Sequence, residues 1–339
     1  MENIYALTST KEEIKLDTIQ HYKVEKAKRK RPKKLFKRLL LLALVLTASL
    51  AVAFNFNAIK EYFSGIFNSL DVPTSHSSDN DVNTEQVDSE AYTYKFSPYF
   101  VKEFEVVNET DFQINYDDNV KFPTKAEICD KYGNDAPIML IVSLSPEEGY
   151  ANGNGYNSFD EFYSSERNVT SIGTEICANL QKLGLPAIQI SFDVGSSAYE
   201  NSLLYKEAVK KALADYPSIA YVIDISRSLE LNQDNSISYA TTEIEGDSVP
   251  AIDLWCGTNG SQIDDNRLKS ILFANKIASE ASKDGALLFR RQTVSQYPLF
   301  QDFNAICFRA DIGSFASSYD DALKSALLFS EQLAKIINS

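Results

Sequence analysis

Hydroxyl and acidic side chains stand at the ends of three apolar segments, and these are the residues of this chain that could carry out chemistry. The first group is Ser143, Ser145 and Glu148, the second is Asp224, Ser226 and Arg227, and the third is Asp311. Glu148, Asp224 and Asp311 together would be a three-carboxylate metal site. Such a site suits calcium or magnesium better than zinc.

The serines at these positions do not form an ordinary hydrolase site. A serine nucleophile needs a neighbouring base, which is most often histidine. The chain has two histidines, His21 and His76, and both precede the part of the sequence that can fold into a core. Ser143 and Ser145 therefore lack the base that would activate them.

The elements that must position these residues alternate along the chain between short apolar runs and helical patterns. The runs that predict buried strands are 138–144, 187–192, 220–225, 252–256 and 305–310. The patterns that predict helices cover 172–183, 203–215, 267–282 and 320–337. This order predicts an α/β fold, a mostly parallel sheet with helices on both faces. Ligands of such sheets bind at the carboxyl ends of the strands.

A transmembrane helix is predicted before this domain. Residues 39–59 are free of charge over 21 residues, which is long enough for one bilayer crossing. Ten Lys or Arg residues in 23–38 precede it and predict that residues 1–38 remain in the cytoplasm, so that the rest of the chain is extracytoplasmic. The alternative is a cleaved signal peptide, because Ala51-Val52-Ala53 has the form that signal peptidase accepts.

The chain after the predicted span divides into three parts. Residues 60–70 have an amphipathic helical pattern at the membrane, 71–90 form a polar and acidic tether without a core, and 91–339 form the folded domain. Residues 39–339 hold 21 basic and 42 acidic side chains. A net charge of this sign argues against nucleic acid as a partner. The four cysteines lack the close spacings of a zinc site, and we expect most of them to be buried and unpaired.

The strand ends resemble those of the stage II sporulation protein P family, membrane-anchored peptidoglycan amidases of endospore-forming bacteria. The family's Leu-Ile-Tyr-His-Thr-His and Glu-x-Tyr segments correspond to 140–145 and 148–150. Its Tyr-Pro-x-Ile and Asp-Ile-His-Arg-Asp segments correspond to 216–219 and 224–228. Its Val-Gly-Thr-Asn and Glu-x-Gly segments are similar to 256–259 and 311–313. The resemblance covers most of residues 130–338.

The resemblance implies zinc-dependent hydrolysis of the amide between N-acetylmuramic acid and L-alanine, with two histidines and a glutamate as metal ligands. In this chain Ser143, Ser145 and Ser226 stand at the histidine positions, so Glu148 alone remains of the ligand set. Asp311 stands where the family has its catalytic glutamate. The predicted catalytic positions are thus Glu148 and Asp311 in a degenerate site without a metal cofactor.

Three further residues are candidates for substrate binding. Arg227 could hold a substrate carboxylate in a bidentate contact, or could pair with Asp224 or Asp311. Tyr150 and Asn259 are the end residues of two of the motifs that resemble the family. Trp255 could pack in the core or stack on a sugar.

Three functions remain open at this point. The first is a catalytically degenerate amidase relative, anchored in the cell membrane, that binds peptidoglycan or cell-wall remodelling proteins during sporulation. The second is an active metal-dependent N-acetylmuramoyl-L-alanine amidase with a non-standard site. The third is a membrane-tethered interaction domain with no tie to the wall.

Overall fold

The computed structural model describes residues 96–117, 119–151, 163–192, 198–234, 236–258, 263–283, 285, 287–299 and 301–339. The predicted basic segment, transmembrane helix, amphipathic segment and tether all lie outside these residues. No helix in the described part of the chain is both long and apolar enough to span a membrane.

Seven strands form the central sheet, and the apolar runs of the sequence supply most of them. They are β2 (Glu105–Asn108), β3 (Met139–Val142), β4 (Ala187–Gln189), β5 (Tyr221–Ser228), β9 (Ile252–Gly257), β10 (Phe289–Ser295) and β11 (Ile306–Ser314). Their order is β2-β10-β9-β11-β5-β3-β4. All neighbouring pairs are parallel except β9 with β11. The prediction of a mostly parallel sheet is confirmed.

Helices cover both faces of this sheet, as the sequence predicts. The helices are α1 (Lys125–Tyr132), α2 (Val169–Lys182), α3 (Ala198–Asp215), α4 (Asp265–Lys283) and α5 (Tyr319–Ile337). One core cluster joins α1, α2, α4 and α5 to one face of the sheet. A second cluster joins α3 to the other face, where Leu140, Val142, Val222 and Cys307 pack against it. The site described below lies on the α3 face.

Local hydrogen bonds fix where three of these helices begin. Thr124 and Glu127 form a reciprocal capping box at the start of α1. The side chain of Asn168 accepts a hydrogen bond from the Ser171 backbone N–H at α2, and that of Ser318 accepts one from Asp321 at α5. Since these caps satisfy backbone donors that the helices leave open, the preceding loops enter the helices at defined positions.

A second, smaller sheet packs near the end of β11. It contains β1 (Phe96–Phe100), β6 (Glu230–Leu231), β7 (Ile237–Ile244) and β8 (Asp247–Pro250). Phe315 and Ile237 belong to a small apolar cluster that β1 contacts through Phe96. Only Ala251 separates β8 from β9, so the chain passes directly from the small sheet into the central one.

The elements differ from the sequence prediction mainly in their bounds. β5 runs on to Ser228 and β11 to Ser314, beyond their apolar runs, while β4 ends at Gln189. The sequence did not predict α1, β2, β10 or the small sheet. Polar residues make up most of β10, FRRQTVS, so it has no apolar run. The four described cysteines are free, and Cys177, Cys256 and Cys307 are buried, which confirms the expectation of unpaired, mostly buried thiols.

Candidate functional site

The strand register brings two of the predicted site positions side by side. Asp311 on β11 lies opposite Ser226 on β5, and Arg309 lies opposite Asp224. Residues two apart in a strand point to the same face of the sheet. These four side chains therefore share one face of two neighbouring parallel strands, the α3 face on which Val222 and Cys307 also lie.

Glu148 reaches this group from the loop after β3. Its backbone N–H donates to the Ser145 carbonyl at 3.2 Å, and its own carbonyl accepts from the backbone N–H of Val169 at 2.9 Å. The hydroxyl of Ser226 donates to Oε2 of Glu148 at 2.8 Å. The half-buried Glu148 carboxylate is therefore held by a protein donor and is more than a solvated loop residue.

Arg309 supplies the positive charge of the site. Its Nε donates to Oδ1 of Asp311 at 2.5 Å, with 30% of the arginine side chain exposed and 4% of the aspartate side chain. Burial opposes the charge of the guanidinium, but the carboxylates of Asp311, Asp224 and Glu148 outweigh it and raise the pKa of Arg309 above its usual range. Arg309 thus interacts with all three acidic residues of the site.

Asp224 is the most deeply placed of these acids, with 3% of its surface exposed. Its Oδ1 accepts a hydrogen bond from the backbone N–H of Leu144 at 2.9 Å, which ties the end of β3 to β5. Burial raises the pKa of Asp224 to about 7, although Arg309 and the Leu144 N–H act in the opposite direction. Near neutral pH the carboxyl group is therefore only partly ionised.

The serines at the other two histidine positions lie on the same loop. Ser143 is 4% exposed, and its hydroxyl has no hydrogen-bond partner among the described residues. Ser145 is half-buried and uses its carbonyl to hold the backbone of Glu148. The structure brings Ser226, Glu148 and Asp311 into one cluster, and it shows no contact of either loop serine hydroxyl with them.

The candidate substrate-binding residues are more dispersed. Arg227 follows Ser226 directly in β5 and so points to the opposite face, where its guanidinium lies 4.9 Å from the ring centre of Phe315. It therefore faces away from the Asp224 and Asp311 side chains, and the predicted ion pair with either of them is wrong. Tyr150 is 2% exposed and donates its hydroxyl to the Ile312 carbonyl at 2.9 Å. Asn259 lies outside the described residues.

A second ion-pair cluster adjoins the first, and the sequence did not indicate it. Asp253 on β9 lies opposite Asp311 in the strand register. Arg290 on β10 donates from Nε to Oδ1 of Asp253 at 2.7 Å and from a terminal nitrogen to Oε2 of Glu230 at 2.6 Å. The same guanidinium also contacts the Tyr99 hydroxyl. The consecutive residues Arg290 and Arg291 were the available signal, but the sequence did not predict the strand β10 that carries them.

An open cleft of about 720 Å³ lies beside this second cluster, at the edge formed by β1, β2 and β10. Its lining includes Tyr99, Phe104, Glu230, Arg290 and Arg291. Arg291 extends over the ring of the half-buried Trp255 at 5.7 Å from its centre. None of the predicted catalytic positions lines this cleft.

The residues present do not fit a zinc ion. A serine hydroxyl stays protonated near neutral pH and is a poor ligand, and the one on Ser226 is already bonded to Glu148. Within the described ranges, no group of three or more His, Cys, Asp or Glu side chains is placed to hold a metal ion. The positive charge of Arg309, which is paired with Asp311, already acts on all three acidic side chains.

Comparison with known proteins identifies the family to which the chain belongs. The family model described as stage II sporulation protein P matches residues 59–334, which is more than half of the chain. No curated protein matches the sequence significantly. Solved structures similar to this chain include the N-acetylmuramoyl-L-alanine amidase AmiC2 of Nostoc punctiforme, with 12% identity, a TM-score of 0.33 and coverage of 59% of this chain and 94% of that one.

Two further solved structures are similar at the same low level. The amidase Ami1 from Mycobacterium smegmatis has 9% identity and a TM-score of 0.36 over 60% of this chain and 96% of its own. The CwlD amidase from Clostridioides difficile, solved in complex with the GerS lipoprotein, has 13% identity and a TM-score of 0.36 over 59% and 94%. These structural similarities are distant, whereas the family match spans the strand-end residues described above. The chain belongs to the stage II sporulation protein P family.

Proposed function

We propose that this chain is a catalytically degenerate member of its family, which binds peptidoglycan or a cell-wall remodelling protein outside the membrane during sporulation. Family membership makes it a relative of sporulation cell-wall amidases. The proposal concerns what this member still does. It retains the family scaffold and uses it for binding or assembly.

One observation carries this proposal: Glu148 and Asp311, at two of the family's reactive positions, are hydrogen-bonded to neighbouring side chains of the protein. Glu148 accepts the hydroxyl of Ser226 at 2.8 Å, and Asp311 accepts Nε of Arg309 at 2.5 Å. A metal ligand and a general base both need free lone pairs directed at a metal or a water. Asp311 is also one methylene shorter than glutamate, and a displacement of about 1 Å can cost on the order of 100-fold in rate.

An exposed aromatic side chain beside the site supports a binding role. Tyr163 pairs with Glu148 in an antiparallel bridge, and 59% of its surface is exposed. Exposed aromatic rings are common at surfaces that bind ligands, because they bury large apolar area with little loss of side-chain freedom. Trp255, by contrast, is half-buried under Arg291.

The test measures binding and cleavage in one experiment on the full-length protein in detergent. Purified sacculi are pelleted with the protein, and the supernatant is analysed for released peptides. We expect co-sedimentation without peptide release, and less than one zinc ion per chain by elemental analysis. Tyr163→Ala should weaken binding by roughly tenfold. Tyr216→Ala, at an exposed position before β5, is the matched control and should bind normally.

Two outcomes would contradict the proposal. Metal-dependent peptide release that Glu148→Ala abolishes would make the chain an active amidase with a non-standard site. Failure to bind sacculi, with stable capture of a protein partner that has no role at the wall, would make it a tethered interaction domain.

A further inference from the structure

The strand register places Arg309 next to two buried acidic residues, Asp224 and Asp311. It is opposite Asp224 across the β5–β11 pairing and two residues before Asp311 on its own strand. All three side chains point to the same face. Asp311 in turn lies opposite Ser226, whose hydroxyl binds Glu148, so the positive charge of Arg309, paired with Asp311, also acts on Asp224 and Glu148.

The buried acids of this group need a cation. Asp224 and Asp311 are each 3% exposed. Carboxylates placed together out of water repel one another, and a buried charge is stable only when it is paired or hydrogen-bonded. Among the described residues, Arg309 is the basic side chain whose hydrogen bond and charge act on this group.

We propose that the guanidinium of Arg309 replaces the metal ion of the family as the cation of this site. The proposal deepens the degenerate function described above and gives a structural reason for it. Because serine stands at the three histidine positions, the neutral metal ligands are lost. Arg309 supplies a fixed positive charge to the acidic residues that remain. The site is then complete without a metal, and a metal could enter only if the arginine were removed.

The test compares the thermal stability of the full-length wild type and two variants, Arg309→Met and Arg309→Lys. Each is measured in three buffers, which contain chelator, millimolar Ca²⁺ or millimolar Mg²⁺. The wild type should melt at the same temperature in all three buffers. Arg309→Met, which keeps the aliphatic length but removes the charge, should melt roughly 5–10 °C lower in chelator and recover part of the loss in Ca²⁺ or Mg²⁺. Arg309→Lys, which keeps a cation, should remain close to the wild type and show no response to either ion.

Arg267→Met is the matched control, because Arg267 also pairs with a carboxylate, that of Asp264 at 2.9 Å, at the start of α4 and outside the site. We expect it to lose little stability and to be indifferent to both ions. The proposal is overturned if Arg309→Met melts like the wild type. It is equally overturned if the wild type is stabilised by the ions as much as Arg309→Met is.

If Arg309→Met fails to fold, a second variant tests the proposal. Combining it with Asp311→Asn removes one negative charge along with the cation, so the double variant should fold and should be more stable than Arg309→Met. A double variant that also fails to fold would show that the loss of the cation from among the carboxyl groups is not what unfolds Arg309→Met, and would overturn the proposal. These measurements do not involve sacculi, so a failure of peptidoglycan binding would leave the role of Arg309 standing.

Discussion

Ser226 shows how one side chain changes the character of the whole site. Its hydroxyl donates to Glu148, whereas a histidine at this position would offer a neutral ring nitrogen to a metal. The sequence identified Glu148, Ser226 and Asp311 correctly as neighbours, because the family motifs place them at strand ends. It did not identify Arg309, because the predicted strand ended before the alternation of Arg309 and Asp311 could be recognised as a shared face.

The buried Asp224 predicts an unusual dependence of stability on pH. Its pKa is about 7 in the folded protein, against a usual value of 3.8. Between these values the unfolded chain releases the proton while the folded chain retains it. The contribution of Asp224 to stability is therefore full below about pH 4, falls as the pH rises towards 7, and is constant above that.

The variant Asp224→Asn isolates this contribution, because its side-chain carbonyl can still accept the Leu144 N–H. We expect the stability difference between Asp224→Asn and the wild type to grow in favour of the variant from about pH 4 to about pH 7. Urea unfolding at a series of pH values measures it. Parallel pH curves for the two proteins would show that Asp224 does not titrate in this range.

At the scale of the elements, buried apolar runs predicted β3, β5, β9 and β11. A strand whose buried residues are polar was not predicted. β10 shows the reason: Gln292 and Thr293 are almost fully buried within it, and the Gln292 side chain donates to the Ile271 carbonyl at 2.7 Å. A buried amide that is hydrogen-bonded is as much a core residue as a valine, but its hydropathy does not reveal this.

The end of β9 depends on the absence of a side chain at Gly257. A Cβ atom there would lie 2.4 Å from the carbonyl oxygen of Pro298, which is backbone and cannot rotate away. We expect Gly257→Ala to lower the melting temperature by about 5 °C, because the 297–298 segment would have to shift. Differential scanning calorimetry of the two proteins measures the effect.

Gly173→Ala is the matched control for that substitution. A Cβ at Gly173 would meet the Nε2 atom of Gln189 at 2.7 Å, a side-chain atom that can move at the cost of its hydrogen bond to the Thr170 carbonyl. Alanine favours the helix α2 by about 1 kcal/mol, which offsets that cost. Its melting temperature should stay near that of the wild type. Equal losses in both alanine variants would argue against the backbone contact as the cause.

At the scale of the whole molecule, we propose a single-pass membrane protein with residues 1–38 in the cytoplasm and the folded domain outside. The sequence carries this proposal through the uncharged residues 39–59 and the basic residues before them. The polar residues 71–90 contain almost nothing that a core could bury, and so we expect them to connect membrane and domain as an exposed tether.

Limited proteolysis of intact protoplasts tests this topology. Protease added outside should cut first in 71–90 and release a domain that begins near residue 91 and remains folded. The same treatment of inside-out vesicles, as the control, should leave the domain protected. Release from the inverted vesicles alone, or first cleavage within residues 136–224, would contradict the proposed arrangement.

The single residue between β8 and β9 has a mechanical consequence. Ala251 is the whole connection between β8 and β9, and Arg290 joins Asp253 of the central sheet to Glu230 of the small sheet, so a force on the small sheet has two short paths into β9. Both paths end at Asp253, the neighbour of Asp311. If the domain binds the cell wall as we propose, tension in the wall would therefore act on Asp253 and, through it, on Asp311.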